Sequence, residues 1–179
     1  KNMACARGFG QELTKREDVT GALAAYVSTL AEKLRKHKLA AQGIHVFLMT
    51  NPFNQKRKPY FAGQSVGLEE PTNFTPALAQ KADELLQAIF REGYQYKRVG
   101  VIMLDLIEQG AVQADLFSRV AAKKADSLMQ AVDKLNHRYG RNTVRLGAIG
   151  TKMPWRQVAD RKTVPFTTNR RFLPVVLAN

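Results

Sequence analysis

A chain of 179 residues with 45% hydrophobic content has room for one main core with an appendage, or for two very small domains. Its formal charge of +13 and pI near 10.1 point to an acidic partner, nucleic acid ahead of an anionic membrane surface. No apolar run approaches the roughly 20 residues that span a bilayer, and Lys1-Asn2-Met3 followed by short Ala and Cys residues forms no signal peptide, so no membrane partner and a cytoplasmic location are expected.

The chain does not begin with methionine and opens in a strand-like run, residues 3–9, so it reads as cut from a longer polypeptide. Residues 17–39 place Leu23, Tyr26, Val27, Leu30 and Leu34 at three- and four-residue intervals, which predicts a helix, with Thr14 and Glu17 as a capping box at its start. IHVFLMT, residues 44–50, is β-branched and aromatic and too short for a typical helix, so it reads as a buried strand stopped by Asn51-Pro52. A loop with three consecutive cations (Lys56, Arg57, Lys58) leads to a second short strand at 64–68, together a long hairpin. Thr75 and Pro76 open a second helix with Leu78, Ala82, Leu85, Leu86, Ile89 and Phe90 at helical spacing and Gly93 as its stop. KRVGVIMLDLI, residues 97–107, is nearly continuous hydrophobe, as a central strand covered by helices requires. The order strand, helix, strand, strand, helix, strand predicts an α+β fold: a split βαββαβ antiparallel sheet with two helices on one face and the other face free. Beyond it a third helix is expected at 121–137, with Ala125, Leu128, Met129, Val132 and Leu135 on one side and Gly140 at its end, inside a small helix-containing C-terminal domain. The divisions are residues 1–110, a linker at 111–118, and 119–179.

Charge is unevenly spread. Residues 1–117 carry 15 Lys/Arg against 12 Asp/Glu, whereas 118–179 carry 13 against 3. Nothing assembles a catalytic site. Asp105 and Glu108 are the only close carboxylates near a strand end, too few for two-metal phosphoryl chemistry. Gly8-Phe9-Gly10 lacks the Lys-Ser/Thr of a phosphate loop, Cys5 reads as core rather than nucleophile, and His37, His45 and His137 lack metal-ligand spacing. Nucleic-acid binding has better support: Arg7 in the first strand, Lys56, Arg57 and Lys58 in the hairpin loop, and Lys97 and Arg98 opening the last strand could follow one phosphate backbone across the sheet. The alternative for each is a solvated rim on a basic protein.

QADLF, residues 113–117, is the sharpest signal. Gln113, then Asp115 and the pair Leu116-Phe117 in a linker suit peptide docking, with two apolar anchors in one pocket; the alternative is that Leu116 and Phe117 pack under the domain.

The element order, the Asn51-Pro52-Phe53 turn, the run GYQYKRVGVIMLDL and then QADLF resemble the C-terminal half of a UmuC-type Y-family translesion DNA polymerase, over nearly the whole chain. The resemblance implies that the βαββαβ unit is a little finger resting on primer-template duplex, with Arg7, Lys97 and Arg98 toward phosphates. It also implies that Gln113, Asp115, Leu116 and Phe117 form a β sliding clamp motif. LMQAVDKLNHRYGRNTVRLGAIG followed by a Trp is similar to the extra C-terminal domain of UmuC proteins. Where that family often has Thr-Thr-Arg-Trp near its end, this chain has Thr167-Thr168-Asn169-Arg170-Arg171-Phe172, a departure that withdraws any role for a tail tryptophan. The metal-binding carboxylates of such a polymerase lie in its palm, so the resemblance implies no cofactor here, magnesium being held elsewhere, and no activity for this portion alone. It brings SOS mutagenesis as the setting, with a cleaved UmuD dimer and a RecA filament as partners, but assigns residues to neither. A competing reading is an RNA-recognition-like module for single-stranded nucleic acid. Against it, the last strand offers Val99, Val101 and Met103 where rings would stack. A third is a structural module whose basic tail binds an acidic protein.

Overall fold

The computed structural model describes residues 1–54, 57–111 and 119–157. It is an α+β arrangement: β1 (Met3–Leu13), α1 (Arg16–Lys36), β2 (Leu39–Thr50), β3 (Phe61–Thr72), α2 (Thr75–Ile89), β4 (Tyr96–Leu104), a two-residue β5 (Ile107–Glu108) and α3 (Arg119–Tyr139). The main sheet runs β1-β4-β2-β3 with every neighbouring pair antiparallel. β1 and β2 are therefore parallel with β4 inserted between them, and β3 and β4 are parallel with β2 between, which is the split arrangement that the element order predicts.

Both helices cover one face. Val19, Leu23, Val27, Leu30 and Leu34 of α1 and Leu78, Ala82 and Leu86 of α2 are buried in one cluster with Ile44, Val46 and Leu48 of β2 and Val99, Val101 and Met103 of β4. Alternation along a strand then turns His45, Phe47 and Met49, and Arg98, Gly100 and Ile102, to the opposite, open face. Thr20 Oγ1 donates to Asp83 Oδ1 at 2.8 Å and ties the two helices together.

Several boundaries differ from those read in the sequence. The strands are longer, because a strand continues as long as a neighbour accepts its hydrogen bonds, whatever its side-chain pattern. The capping box is absent: α1 begins at Arg16 with Lys15 as its N-cap and no side-chain cap. α2 ends at Ile89, with Phe90 already extended, so Gly93, at φ +84°, shapes the following turn rather than stopping the helix. The apolar run at 97–107 is broken after Leu104 by Asp105 at φ +50°, and Ile107–Glu108 pairs separately with Leu39 and Ala40 of β2.

α3 ends at Tyr139, with Gly140 following at φ +104°, as expected. Its apolar stripe is only partly covered: Met129 is buried, whereas Leu128 and Leu135 are exposed. A polar contact ties it to α1. Arg35 at the end of α1 grips Asp133 with Nε to Oδ2 at 2.7 Å and Nη2 to Oδ1 at 2.8 Å, while Nη1 donates to Asn73 O and Thr75 Oγ1. The chain then returns across α1. Ile149 is buried, the Trp155 ring meets Tyr26 edge-on at 6.0 Å, and Gly10 N of the edge strand donates to Trp155 O at 3.3 Å. Gly10 has to be glycine for this approach, since a Cβ there would stand 2.7 Å from Arg156 O. Among the described residues no helix is long and apolar enough to cross a membrane.

Candidate nucleic-acid interface

The open face is ordered by register into three rows running from β1 to β3. They are Gly8, Arg98, Met49, Phe61; then Ala6, Gly100, Phe47, Gly63; then Ala4, Ile102, His45, Ser65. β1 contributes only small side chains, so this side is a low shelf. Phe47 lies down across β4: a Cβ on Gly100 would be 2.2 Å from its Cζ and 2.3 Å from its Cε1. His45 leans the other way, with Cε1 3.0 Å from where a Gly63 Cβ would be and Nδ1 2.8 Å from Ser65 Oγ. Phe61 stands beside them at the β3 edge with 67% of its surface exposed. The ring centroids are 6.1 Å apart for His45 and Phe47 and 6.2 Å for Phe47 and Phe61, with interplanar angles of 30° and 36°.

Sequence reasoning missed this row. Val99, Val101 and Met103, taken as evidence that stacking positions lack rings, face the helices, and the rings are on β2 and β3. The alternation in IHVFLMT was a usable signal, since it puts His45, Phe47 and Met49 together. The glycines beneath them depend on cross-strand register and carry no signal in the sequence.

The cations gather at one end. Tyr96 and Val99 are both fully buried although three residues apart, which strict alternation forbids. The register shift between Met49 and Thr50 supplies the reason: a β-bulge in β4 sets Lys97 and Arg98 together between two inward neighbours. Arg98 is exposed in the first row. Lys97 is half-buried and its Nζ donates to Phe9 O at 2.8 Å, bracing the irregular part of β1. Arg57 and Lys58 lie at the same end, lining a cleft of about 410 Å³ with Glu12, Asn51, Tyr94 and Gln95. Arg57 is held there by Glu12, Nη1 to Oε2 at 2.6 Å.

Arg7 does not join them. Its register partner is Val99, so it is on the helix side of the edge strand, close enough to Cys5 and Tyr26 to oppose the rise that burial imposes on both groups. Lys56, together with Gln113, Asp115, Leu116 and Phe117, lies outside the described residues. Among the described residues no group of three His, Cys, Asp or Glu could hold a metal ion.

This arrangement, a half-apolar sheet face with a basic end and a helical cover behind, is carried by residues that a family model also spans. Residues 1–116 match the impB/mucB/samB family C-terminal domain. The chain belongs to the impB/mucB/samB family. Residues 126–176 match a second model described only as a domain of unknown function, DUF4113. Relatives of this family member include Protein ImpB of Salmonella typhimurium, 28% identical over 98% of this chain and 41% of that protein. Protein UmuC of Salmonella typhimurium strain LT2 is 32% identical over 65% of this chain and 28% of its own length. The chain thus spans about two fifths or less of the length of these curated relatives. Solved structures similar to it include an insertion ternary complex of Dbh DNA polymerase (11% identity, 60% of this chain and 29% of that one, TM-score 0.49). Another is a complex of the beta-clamp processivity factor and the little finger domain of PolIV (17% identity, 65% of this chain and 98% of that one, TM-score 0.47).

Proposed function

We propose that this chain is the DNA-binding and sliding-clamp-tethering portion of an error-prone translesion DNA polymerase subunit, with the catalytic palm and its magnesium on a part of the protein outside it. Membership of the impB/mucB/samB family over residues 1–116 is the observation that carries the reading. The open sheet face supports the DNA half: Arg98, Arg57 and Lys58 at one end can neutralise phosphates, a contact that positions a protein without reading sequence. QADLF supports the clamp half, with Gln113 as hydrogen-bonding lead and Leu116-Phe117 as paired anchors. The setting is SOS mutagenesis in the bacterial cytoplasm, with a cleaved UmuD dimer and a RecA filament as further partners.

Titration against purified bacterial sliding clamp tests the tether. The wild type binds, and the triple variant Gln113→Ala, Leu116→Ala, Phe117→Ala loses binding while its melting temperature holds. Absence of binding by the wild type would leave Leu116 and Phe117 as packing residues and remove the clamp from the function.

A further inference from the structure

We propose that the C-terminal segment reaching the edge of β1 at residues 155–157 completes the grip on duplex DNA, with Arg156 as its phosphate-contacting residue. The inference rests on the DNA reading above and gives a task to the region that matches a domain of unknown function.

The course of the segment carries the proposal. Before it reaches the sheet it lies against α1: Ile149 O is 3.1 Å and Trp155 Nε1 3.5 Å from where a Gly21 Cβ would be. A turn in which Arg156 N donates to Met153 O at 3.0 Å then brings the chain to β1, an edge strand of the sheet. There Gly10 N donates to Trp155 O at 3.3 Å, and Gln157 Nε2 donates to Gly8 O at 3.2 Å. Gly8 is the β1 member of the first row on the open face and is paired in register with Arg98. Arg156 therefore stands at the margin of that row, with β1 alone between it and the strand of Arg98. The approach is built in: a Gly10 Cβ would be 2.7 Å from Arg156 O and 3.3 Å from Gln157 Cα, so a larger residue would push the segment away. Backbone groups and Gln157 hold the segment, which leaves the Arg156 guanidinium out of the anchorage. The residue is exposed, and among the described residues it has no ion pair, unlike Arg16, Arg35 and Arg57. The position also lacks any other cation. On the β1 side the three rows begin with Gly8, Ala6 and Ala4, while Arg7 faces the helices, so a duplex on the sheet would meet no positive charge there without Arg156. The whole region suits a polyanion, since residues 118–179 carry 13 Lys/Arg against 3 Asp/Glu.

Anisotropy titrations of a labelled primer-template duplex with the 179-residue chain, over a range of salt, test the assignment. Arg156→Ala weakens binding and lowers the log-log salt slope by about 0.9, the loss of one phosphate contact, and Arg156→Lys keeps the slope. Lys134→Ala removes another exposed cation of the same region, beside the Asp133 that is tied to α1, and leaves the slope unchanged. Gly10→Ala keeps every charge but displaces Arg156, and its slope falls as that of Arg156→Ala does. Because Arg156 is exposed, its variants keep the wild-type melting temperature; Gly10→Ala is compared at a temperature where circular dichroism shows it folded. An unchanged slope in Arg156→Ala or in Gly10→Ala, while Arg98→Ala still lowers it, overturns the assignment. An equal fall in Lys134→Ala overturns it too, by showing that net charge alone matters. Failure of the wild type to bind duplex at low salt overturns the DNA reading itself.

Discussion

Gly100→Ala is the substitution that most directly interrogates the open face. The new Cβ would stand 2.2 Å from Phe47 Cζ, 2.3 Å from Cε1 and 2.8 Å from Ala6 Cβ, against about 3.5–4.0 Å for carbon atoms in comfortable contact. The ring must therefore lift by more than an ångström. Its tip is the free end of a rotatable side chain and the face above it is open, so the backbone need not move; the Ala6 contact, between two Cβ atoms fixed by the backbone, is the harder one. Overpacking costs about 1–3 kcal/mol, and replacing glycine returns about 0.4–1 kcal/mol by restricting the unfolded chain. The net expectation is a loss of about 1 kcal/mol, or about 2–4 °C in melting temperature for a chain of this size. Denaturant unfolding of Gly100→Ala, Phe47→Ala and the double variant apportions it. If the ring tip is the obstacle, most of the cost disappears in the Phe47→Ala background and only the crowding against Ala6 remains. An undiminished cost in that background, or a Gly100→Ala protein more stable than wild type, would refute the account.

The remaining expectations concern charge and the docking of α3. Glu12→Gln releases Arg57 from its 2.6 Å ion pair, so duplex affinity at low salt rises a few-fold and the log-log salt slope steepens toward one further phosphate contact, about 0.9; an unchanged slope in anisotropy titrations would show that Arg57 does not meet phosphate. Asp133→Asn takes the charge from a pair whose side chains are 11% and 27% exposed, intermediate between surface pairs and buried ones; it costs about 1–2 kcal/mol, and hydrogen exchange speeds up in α3 before it does in α1. Burial, aided by Cys5 and opposed by Arg7, pushes the Tyr26 phenol up to about 12. A folded-state value above the unfolded one of about 10 means that the neutral phenol stabilises fully below pH 10 and that this contribution is lost as pH rises toward 12; Tyr26→Phe flattens the alkaline fall in stability seen by circular dichroism.

Much of the fold was legible because it rests on local pattern. The 3–4 spacing of Leu23, Val27, Leu30 and Leu34 and the Thr75-Pro76 start are properties of short windows, and six elements in that order leave few sheets to choose from. What could not be read needs a partner strand. Lys97 and Arg98 both fall between the inward-facing Tyr96 and Val99 only because β4 carries one extra residue opposite Met49 and Thr50, and a bulge leaves no mark in the bulged strand's own sequence. The same holds for Arg7, whose helix-side placement follows from its register against Val99. How α3 docks is likewise not written in its own sequence: the helix forms where its hydrophobic period predicts, but an ion pair reaching 98 residues back to Arg35 ties it to α1, and Leu128 and Leu135 stay exposed.

The contacts proposed for the sheet are alike in ignoring base identity. Phosphate neutralisation by Arg98, Arg57 and Lys58 reads only charge, and the small and apolar side chains between them offer a duplex nothing but shape. Side chains able to form the bidentate base-edge pair on which sequence readout depends are scarce in the three rows: Arg98 is the only guanidinium there, and Asn and Gln are absent. The face should therefore discriminate little between duplexes of different sequence. Competition experiments in which unlabelled duplexes of different sequence and equal length displace a labelled duplex equally fit this construction. A strong preference among sequences would mean that an edge-reading group, outside these rows, governs the interaction.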